Sequence, residues 1–345
     1  MSSNKREVIL VTGCAGFIGF HLCRTLIGEC YDVIGIDNLN DYYDTELKKA
    51  RLQILISKSG FTFYQKDIVD KYGIYEIFDS HRPKYVVNLA AQAGVRYSIK
   101  HPKRYMESNV IGFFSILEAC REFEIEHLLF ASSSSVYGGN TVTPFSTNHN
   151  VDHPVSLYAA TKKSNELFAH SYSHIHGIPT TGMRFFTVYG PWGRPDMAYH
   201  SFTEKILLDE EIKLFNYGNM ERDYTYIDDL VDAIVKLIPS VPQANKEWAE
   251  GTHDAGESFA PYKVHNIGGG RTINLNYFIS ILEELLGKKA ERKLVEMQQG
   301  DVTVTYADIS RLQNDIDYHP NTTLREGLSK FVEWYLNYYE NRGGK

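Results

Sequence analysis

Four apolar residues, Val8-Ile9-Leu10-Val11, lead through Thr12 into Gly13-Cys14-Ala15-Gly16-Phe17-Ile18-Gly19, and then into an apolar pattern of helical spacing that runs to Gly28. No other stretch restricts the fold as much. Glycines three apart let the backbone turn sharply at Gly13 and come close to a pyrophosphate at Gly16, while Gly19 lets the helix pack near the sheet. The start of that helix offers unpaired N–H groups and the positive end of its dipole to phosphate. A glycine triplet by itself fits any tight turn equally well. The context decides for a dinucleotide: the second apolar run ends in Asp37, 18 positions after Gly19, close to the ~20 at which a carboxylate meets an adenosine ribose diol. No arginine follows Asp37 directly, as a 2′-phosphate would favour, so the expected cofactor is NAD rather than NADP.

The same rhythm continues downstream. Apolar runs without polar alternation fall at 31–37, 61–64, 85–89, 127–132 and 180–185, and helical patterns occupy 71–80, 105–122 and 157–176. Such alternation means a parallel sheet covered on both faces. The expected fold is α/β, a Rossmann-type doubly wound parallel sheet with a smaller C-terminal substrate-binding lobe. Beyond about residue 190 proline, glycine and charge become frequent, with helical patterns at 202–208 and 228–238 and an amphipathic one at 323–339. The aromatic stripe of that last helix reads as core. Residues 240–262 show little periodicity and read as a loop or mobile insert. Residues 1–186 are expected to form the NAD-binding domain. Residues 187–345 should form mainly the substrate lobe, interleaved with the first.

Charge is evenly spread: 36 Lys and Arg against 43 Asp and Glu give −7 over 345 residues, with no block of one sign. That argues against a nucleic-acid or anionic-membrane partner and leaves room for a local basic pocket. No segment approaches the ~18 uninterrupted apolar residues of a membrane span. The N-terminal apolar run is too short for a signal sequence, so a cytoplasmic location is expected. Cys14, Cys23, Cys30 and Cys120 form no C-x-x-C pair and have no histidine at ligand spacing. They are expected to be reduced, and no metal site is expected.

Tyr158-Ala159-Ala160-Thr161-Lys162 places a phenol and an ammonium one helical turn apart. The positive charge should favour the phenolate and lower the tyrosine pKa. A phenolate of this kind can take a proton from a sugar hydroxyl while a nicotinamide accepts hydride from the same carbon. Alone, a Tyr and Lys four apart are ordinary surface residues. Following a dinucleotide loop, and with Ser132-Ser133-Ser134-Ser135 ending the fifth strand, they carry weight.

Several longer strings carry a family resemblance. They are residues 37–43 (Asp-Asn-Leu-Asn-Asp-Tyr-Tyr), 90–96 (Ala-Ala-Gln-Ala-Gly-Val-Arg), 131–138 (Ala-Ser-Ser-Ser-Ser-Val-Tyr-Gly), 156–163 (Ser-Leu-Tyr-Ala-Ala-Thr-Lys-Lys) and 184–197, which holds Gly193-Arg194-Pro195-Asp196. With Gly13 to Gly19 and Arg222-Asp223, they resemble the extended short-chain dehydrogenase/reductases that act on nucleotide sugars, and among these the UDP-glucuronate 4-epimerases. The resemblance implies epimerisation at C4 through a transient 4-keto sugar, with tightly bound NAD. In that family the dehydratases carry Asp-Glu just before Val-Tyr-Gly, and the decarboxylases a glutamate immediately before it. Here both positions are serines, Ser134 and Ser135, which are not strong acids or bases near neutrality.

The resemblance further implies Tyr158, Lys162 and Ser133 as catalytic residues. It places Gly13, Gly16, Phe17, Ile18, Gly19, Asp37, Asn38, Asn40, Asp67, Ile68, Leu89, Ala90, Ala91 and Asn109 at the cofactor, with Tyr158 and Lys162. At the sugar nucleotide it puts Ser133, Ser134, Ser135, Arg96, Thr187, Arg194, Arg222 and Asp301, with Ser134 and Ser135 at the sugar carboxylate and Arg222 at the UDP diphosphate. Gln299 stands where relatives carry proline before the Gly300-Asp301 pair. A homodimer is implied through the helices at 105–122 and 157–176. Competing expectations are a 4-epimerase of UDP-glucose or UDP-N-acetylglucosamine, a UDP-glucuronate decarboxylase, and a non-catalytic NAD-binding protein.

Overall fold

A computed structural model describes residues 6–248, 254–298 and 301–340. Six strands fall within the first 186 residues: β1 (Val8–Thr12), β2 (Asp32–Asp37), β3 (Phe61–Gln65), β4 (Tyr85–Asn88), β5 (His127–Ser133) and β6 (Thr180–Phe185). The rest of the chain adds β7 (Thr187–Tyr189), β8 (Ile212–Leu214), β9 (Glu221–Tyr226), β10 (Tyr262–Ile267), β11 (Thr272–Asn274) and β12 (Arg292–Leu294). The central sheet has the order β10-β6-β5-β4-β1-β2-β3, and every pair in it is parallel. Burial explains the unbroken apolar runs. In β1, Ile9 and Val11 enter one core, and Leu10, between them, enters the core on the other face. Both faces are covered, so alternation would be unfavourable. The strand order reverses between β1 and β4, which opens a crevice at their C-terminal ends.

Helix Leu157–His176 has the bounds the pattern predicts, because both ends are chemically marked. Ser156 Oγ accepts from the Ala159 amide at 3.1 Å, and Gly177 closes the helix at φ +66°. The expected helix at 105–122 is instead three pieces: Pro102–Tyr105, a wider π-helical stretch Met106–Gly112, and Phe113–Glu122. The wide turn lies where Asn109 turns its amide onto the backbone of Gln92. Helix Thr45–Ile56 has no counterpart in the sequence reading. Asp44 caps it, accepting from the Glu46 amide at 2.8 Å, but its inner face includes the buried Lys48 and Arg51, which interrupt an apolar stripe.

The smaller lobe contains the sheets β11-β9-β7 and β12-β8, with helices Ala198–Leu207, Leu275–Leu286 and Leu324–Glu340. Phe331 and Tyr335 of the last helix are buried in the larger core, as the stripe predicts. Two later segments return to the first layer. β10 pairs with β6, and helix Ile227–Leu237 packs on helix Phe17–Gly28. The 240–262 stretch is tied down where it is described. Asn245 N donates to Ser258 O at 3.0 Å, Trp248 Nε1 donates to Asp254 O at 2.8 Å, and Asp254 pairs with Arg311. Residues 249–253 of that stretch lie outside the described residues. Among the described residues no helix is long and apolar enough to cross a membrane, and no cluster of metal-ligating side chains occurs.

Candidate active site

A cavity of about 980 Å³ occupies the crevice and runs on toward the smaller lobe. Its dinucleotide end is lined by Gly13, Gly16, Phe17, Ile18 and Gly19, by Asp37, Asn38 and Asn40, by Asp67 and Ile68, and by Leu89, Ala90 and Ala91. The glycines are required by contact. Gly13 has φ +72°, and a Cβ there would stand 2.9 Å from Ala90 N; a Cβ on Gly19 would stand 2.1 Å from Gly13 O. So Gly19 makes room for the loop backbone itself. Gly16 opens the helix with no side-chain cap, which leaves the first-turn amides to an anion. Asp37, only 8% exposed, accepts from Ala15 N at 3.1 Å and Leu39 N at 2.8 Å, so its carboxylate is fixed beside the loop. Asn38 Nδ2 donates to Asp67 Oδ2 at 2.8 Å and joins the ends of β2 and β3. These residues fit an adenine dinucleotide. Asn109 is the exception among the cofactor expectations. It lies outside the cavity wall, with its amide engaged by the Gln92 backbone and by Thr161. It positions the Gln92 segment and helix Leu157–His176 relative to each other.

Ser133, Tyr158 and Lys162 meet in the middle of the cavity. Burial raises the Tyr158 phenol above its ordinary pKa, against the Ser133 hydrogen bond and the Arg194 charge, which both lower it. This corrects the sequence expectation, in which Lys162 lowers the phenol. Lys162 Nζ donates to Ala131 O at 2.7 Å, and burial brings its own pKa down to about 8. The phenolate is therefore favoured by Ser133 and Arg194, and Lys162 anchors the end of β5. The serine cluster divides. Ser132 donates to Glu166 Oε1 at 2.7 Å, a carboxylate held by Arg184 in the core, whereas Ser133 Oγ accepts from Ser135 N at 3.2 Å. Ser134 and Ser135 line the cavity beside it.

The far end of the cavity is basic. Arg222 donates to the main-chain carbonyls of Thr303 at 2.9 Å and Val302 at 2.6 Å, and burial lowers its pKa. A cation held by neutral groups is a ready partner for an anion. Arg96 instead pairs with Asp301 at 3.0 Å across the cavity, and Thr187 lines the wall at the start of β7. Gln299 and Gly300, just before Asp301, lie outside the described residues. Arg194 pairs with Asp196.

Sequence reasoning missed Arg51. It is fully buried and donates to Ala15 O at 2.9 Å, Trp192 O at 2.6 Å and Gly193 O at 3.2 Å, which ties the phosphate loop to the loop bearing Arg194. It missed Lys48 too, a cavity-wall ammonium that donates to Asn40 O at 2.8 Å. A cation at each of two inward helical positions was the available signal.

A dinucleotide cradle opening onto a Ser–Tyr–Lys centre is the arrangement by which short-chain dehydrogenase/reductases oxidise and reduce a carbinol carbon. Residues 9–248 match the NAD dependent epimerase/dehydratase family, and the chain belongs to it. It is 53% identical over 332 residues to Protein CapI of Staphylococcus aureus, covering 96% of this chain and 99% of that protein. It is 43% identical over 331 residues to the probable UDP-glucuronate 4-epimerase of Rhizobium meliloti, covering 96% and 97%. Its structure is similar to that of the UDP-glucuronic acid 4-epimerase of Bacillus cereus in complex with UDP-glucuronic acid and NAD. The TM-score is 0.84 at 33% identity, over 96% of this chain and 100% of that one.

Proposed function

We propose that this chain is an NAD-dependent nucleotide-sugar 4-epimerase that interconverts UDP-glucuronate and UDP-galacturonate through a transient 4-keto sugar. The observation that carries the reading is the pairing of Tyr158 with Ser133 in a cavity whose neighbouring positions are Ser134 and Ser135. No carboxylic acid stands there to drive elimination. Gly13 to Gly19, Asp37 and Lys162 would hold NAD, which would supply the redox capacity at C4 with no net change in cofactor.

The protein's own groups move the proton and hold the sugar. Tyr158 Oη takes the proton of the C4 hydroxyl as that carbon is oxidised, and returns it when the carbon is reduced on its other face. Ser133 orients the same hydroxyl. Arg222 holds the diphosphate, with Thr187, Arg96 and Asp301 beside it. A fixed diphosphate and a hexose free to turn give inversion at C4 without any other bond breaking. Ser134, Ser135 and Arg194 hold the C6 carboxylate, which distinguishes a uronate from a neutral hexose.

The test is a comparison of UDP-glucuronate, UDP-glucose and UDP-N-acetylglucosamine at equal concentration. The uronate is expected to give the highest kcat/KM, and preference for either neutral sugar would overturn the substrate assignment. The proposal includes the division of labour between residues 1–186 and 187–345, and a cytoplasmic location in keeping with four free cysteines. It includes a homodimer as well. Ile111, Phe114, Leu167, Phe168 and Ile175 expose apolar surface on the helices of the two implied segments. Light scattering should give twice the chain mass of 39.5 kDa, and a monomer at micromolar concentration would exclude the dimer.

A further inference from the structure

Arg194 faces the cavity already holding a carboxylate. Its Nε donates to Asp196 Oδ1 at 2.9 Å and its Nη2 to Asp196 Oδ2 at 2.5 Å, so its own neighbour fills the side edge of the guanidinium. Tyr42, from the loop after β2 on the dinucleotide side, donates its hydroxyl to the same Oδ2 at 3.0 Å. The Tyr42 ring lies 5.6 Å from the guanidinium carbon. All three residues line the cavity. The remaining N–H groups, on Nη1 and the far side of Nη2, form the end fork, which suits a second carboxylate.

An internal anion at a site meant for an anionic sugar weakens binding, which calls for a reason. The proposed reaction supplies one. The 4-keto ring must present its other face, so the C6 carboxylate has to leave the arginine and be retaken in a new pose. An undivided guanidinium charge would hold the first pose too firmly, and binding shared by ground state and transition state adds nothing to turnover.

We propose that Asp196 is a positioning residue, the counter-ion that keeps the Arg194 grip on the sugar carboxylate exchangeable, with Tyr42 holding it in place. This rests on the reading that Arg194 contacts that carboxylate. Relieved of Asp196, Arg194 binds a uronate more tightly and turns it over more slowly, while the affinity for a neutral hexose is unchanged.

The test is Asp196→Asn in the full chain, with Kd for UDP-glucuronate and UDP-glucose from calorimetry and kcat for UDP-glucuronate. Kd for UDP-glucuronate is expected to fall about tenfold, the scale of one hydrogen bond to a charged group, with a comparable fall in kcat and no change for UDP-glucose. Weaker or unchanged UDP-glucuronate binding, or equal tightening of both ligands, would overturn the proposal. Asp196→Ser removes the same charge with a smaller side chain if the Asn variant folds poorly, and thermal melting checks both. Arg194→Ala separates the two layers. A selective loss of UDP-glucuronate binding supports the grip, whereas an equal loss of both ligands removes the reading beneath the counter-ion.

Discussion

Tyr158→Phe is expected to lower kcat for UDP-glucuronate by about 10²–10⁴-fold, the range that positioned proton transfer contributes. The ring keeps its packing, including the edge-on contact with Tyr105 at 6.0 Å, so the fold and nucleotide affinity should change little. What is removed is the hydroxyl bonded to Ser133 within reach of Arg194. Burial raises that phenol, and the Ser133 hydrogen bond and the Arg194 charge oppose the rise by favouring the phenolate. A steady-state assay at saturating substrate checks this. Near-normal turnover by the Phe variant would remove Tyr158 from the chemistry.

Lys162→Met is expected to be nearly as damaging, at about 10²–10³-fold in kcat, the scale of losing one preorganised charged donor. It should also strip NAD from the purified protein. The ammonium is buried, its pKa is brought down to about 8, and it is fastened to Ala131 O at the end of β5. Methionine matches its length and leaves that carbonyl without its donor. The loss should therefore appear twice, in turnover and in cofactor content after purification. A variant that retained both would assign Lys162 a packing role alone.

Where a local signal has a local cause, the sequence is a good guide. Helix Phe17–Gly28 follows from a glycine-opened start, and helix Leu157–His176 from Ser156 at one end and Gly177 at the other. The parallel sheet is legible because its strands are buried on both faces and have no reason to alternate. Long-range causes leave no such mark. The seventh strand of the central sheet, β10, starts where the 240–262 stretch ends, and its place beside β6 is fixed by pairing Tyr262 with Thr180, far apart in the chain. Arg51 reads as an ordinary helical cation. Its burial follows from carbonyls at Ala15, Trp192 and Gly193 that only the folded chain brings together.

The site shows the same division. Twenty-three of the 24 expected positions line one cavity, because a motif keeps its residues near the strand ends that form the wall; Asn109 is the one set behind it. The electrostatics were less legible. The four-residue spacing puts Lys162 one turn from Tyr158, yet its ammonium donates to the carbonyl of Ala131 on β5. Arg194, reading as a cation awaiting a carboxylate, carries one already, two residues along its own loop.

The most direct measurement is the identity of the product formed from UDP-glucuronate by the purified protein. The sugar nucleotides would be resolved by anion-exchange chromatography, with mass, carbon dioxide and reduced cofactor followed together. The account predicts UDP-galacturonate of unchanged mass, reached from either sugar at the same final ratio, with no carbon dioxide and no net NADH. A product lighter by carbon dioxide, stoichiometric NADH, or UDP-glucuronate left unchanged would contradict it.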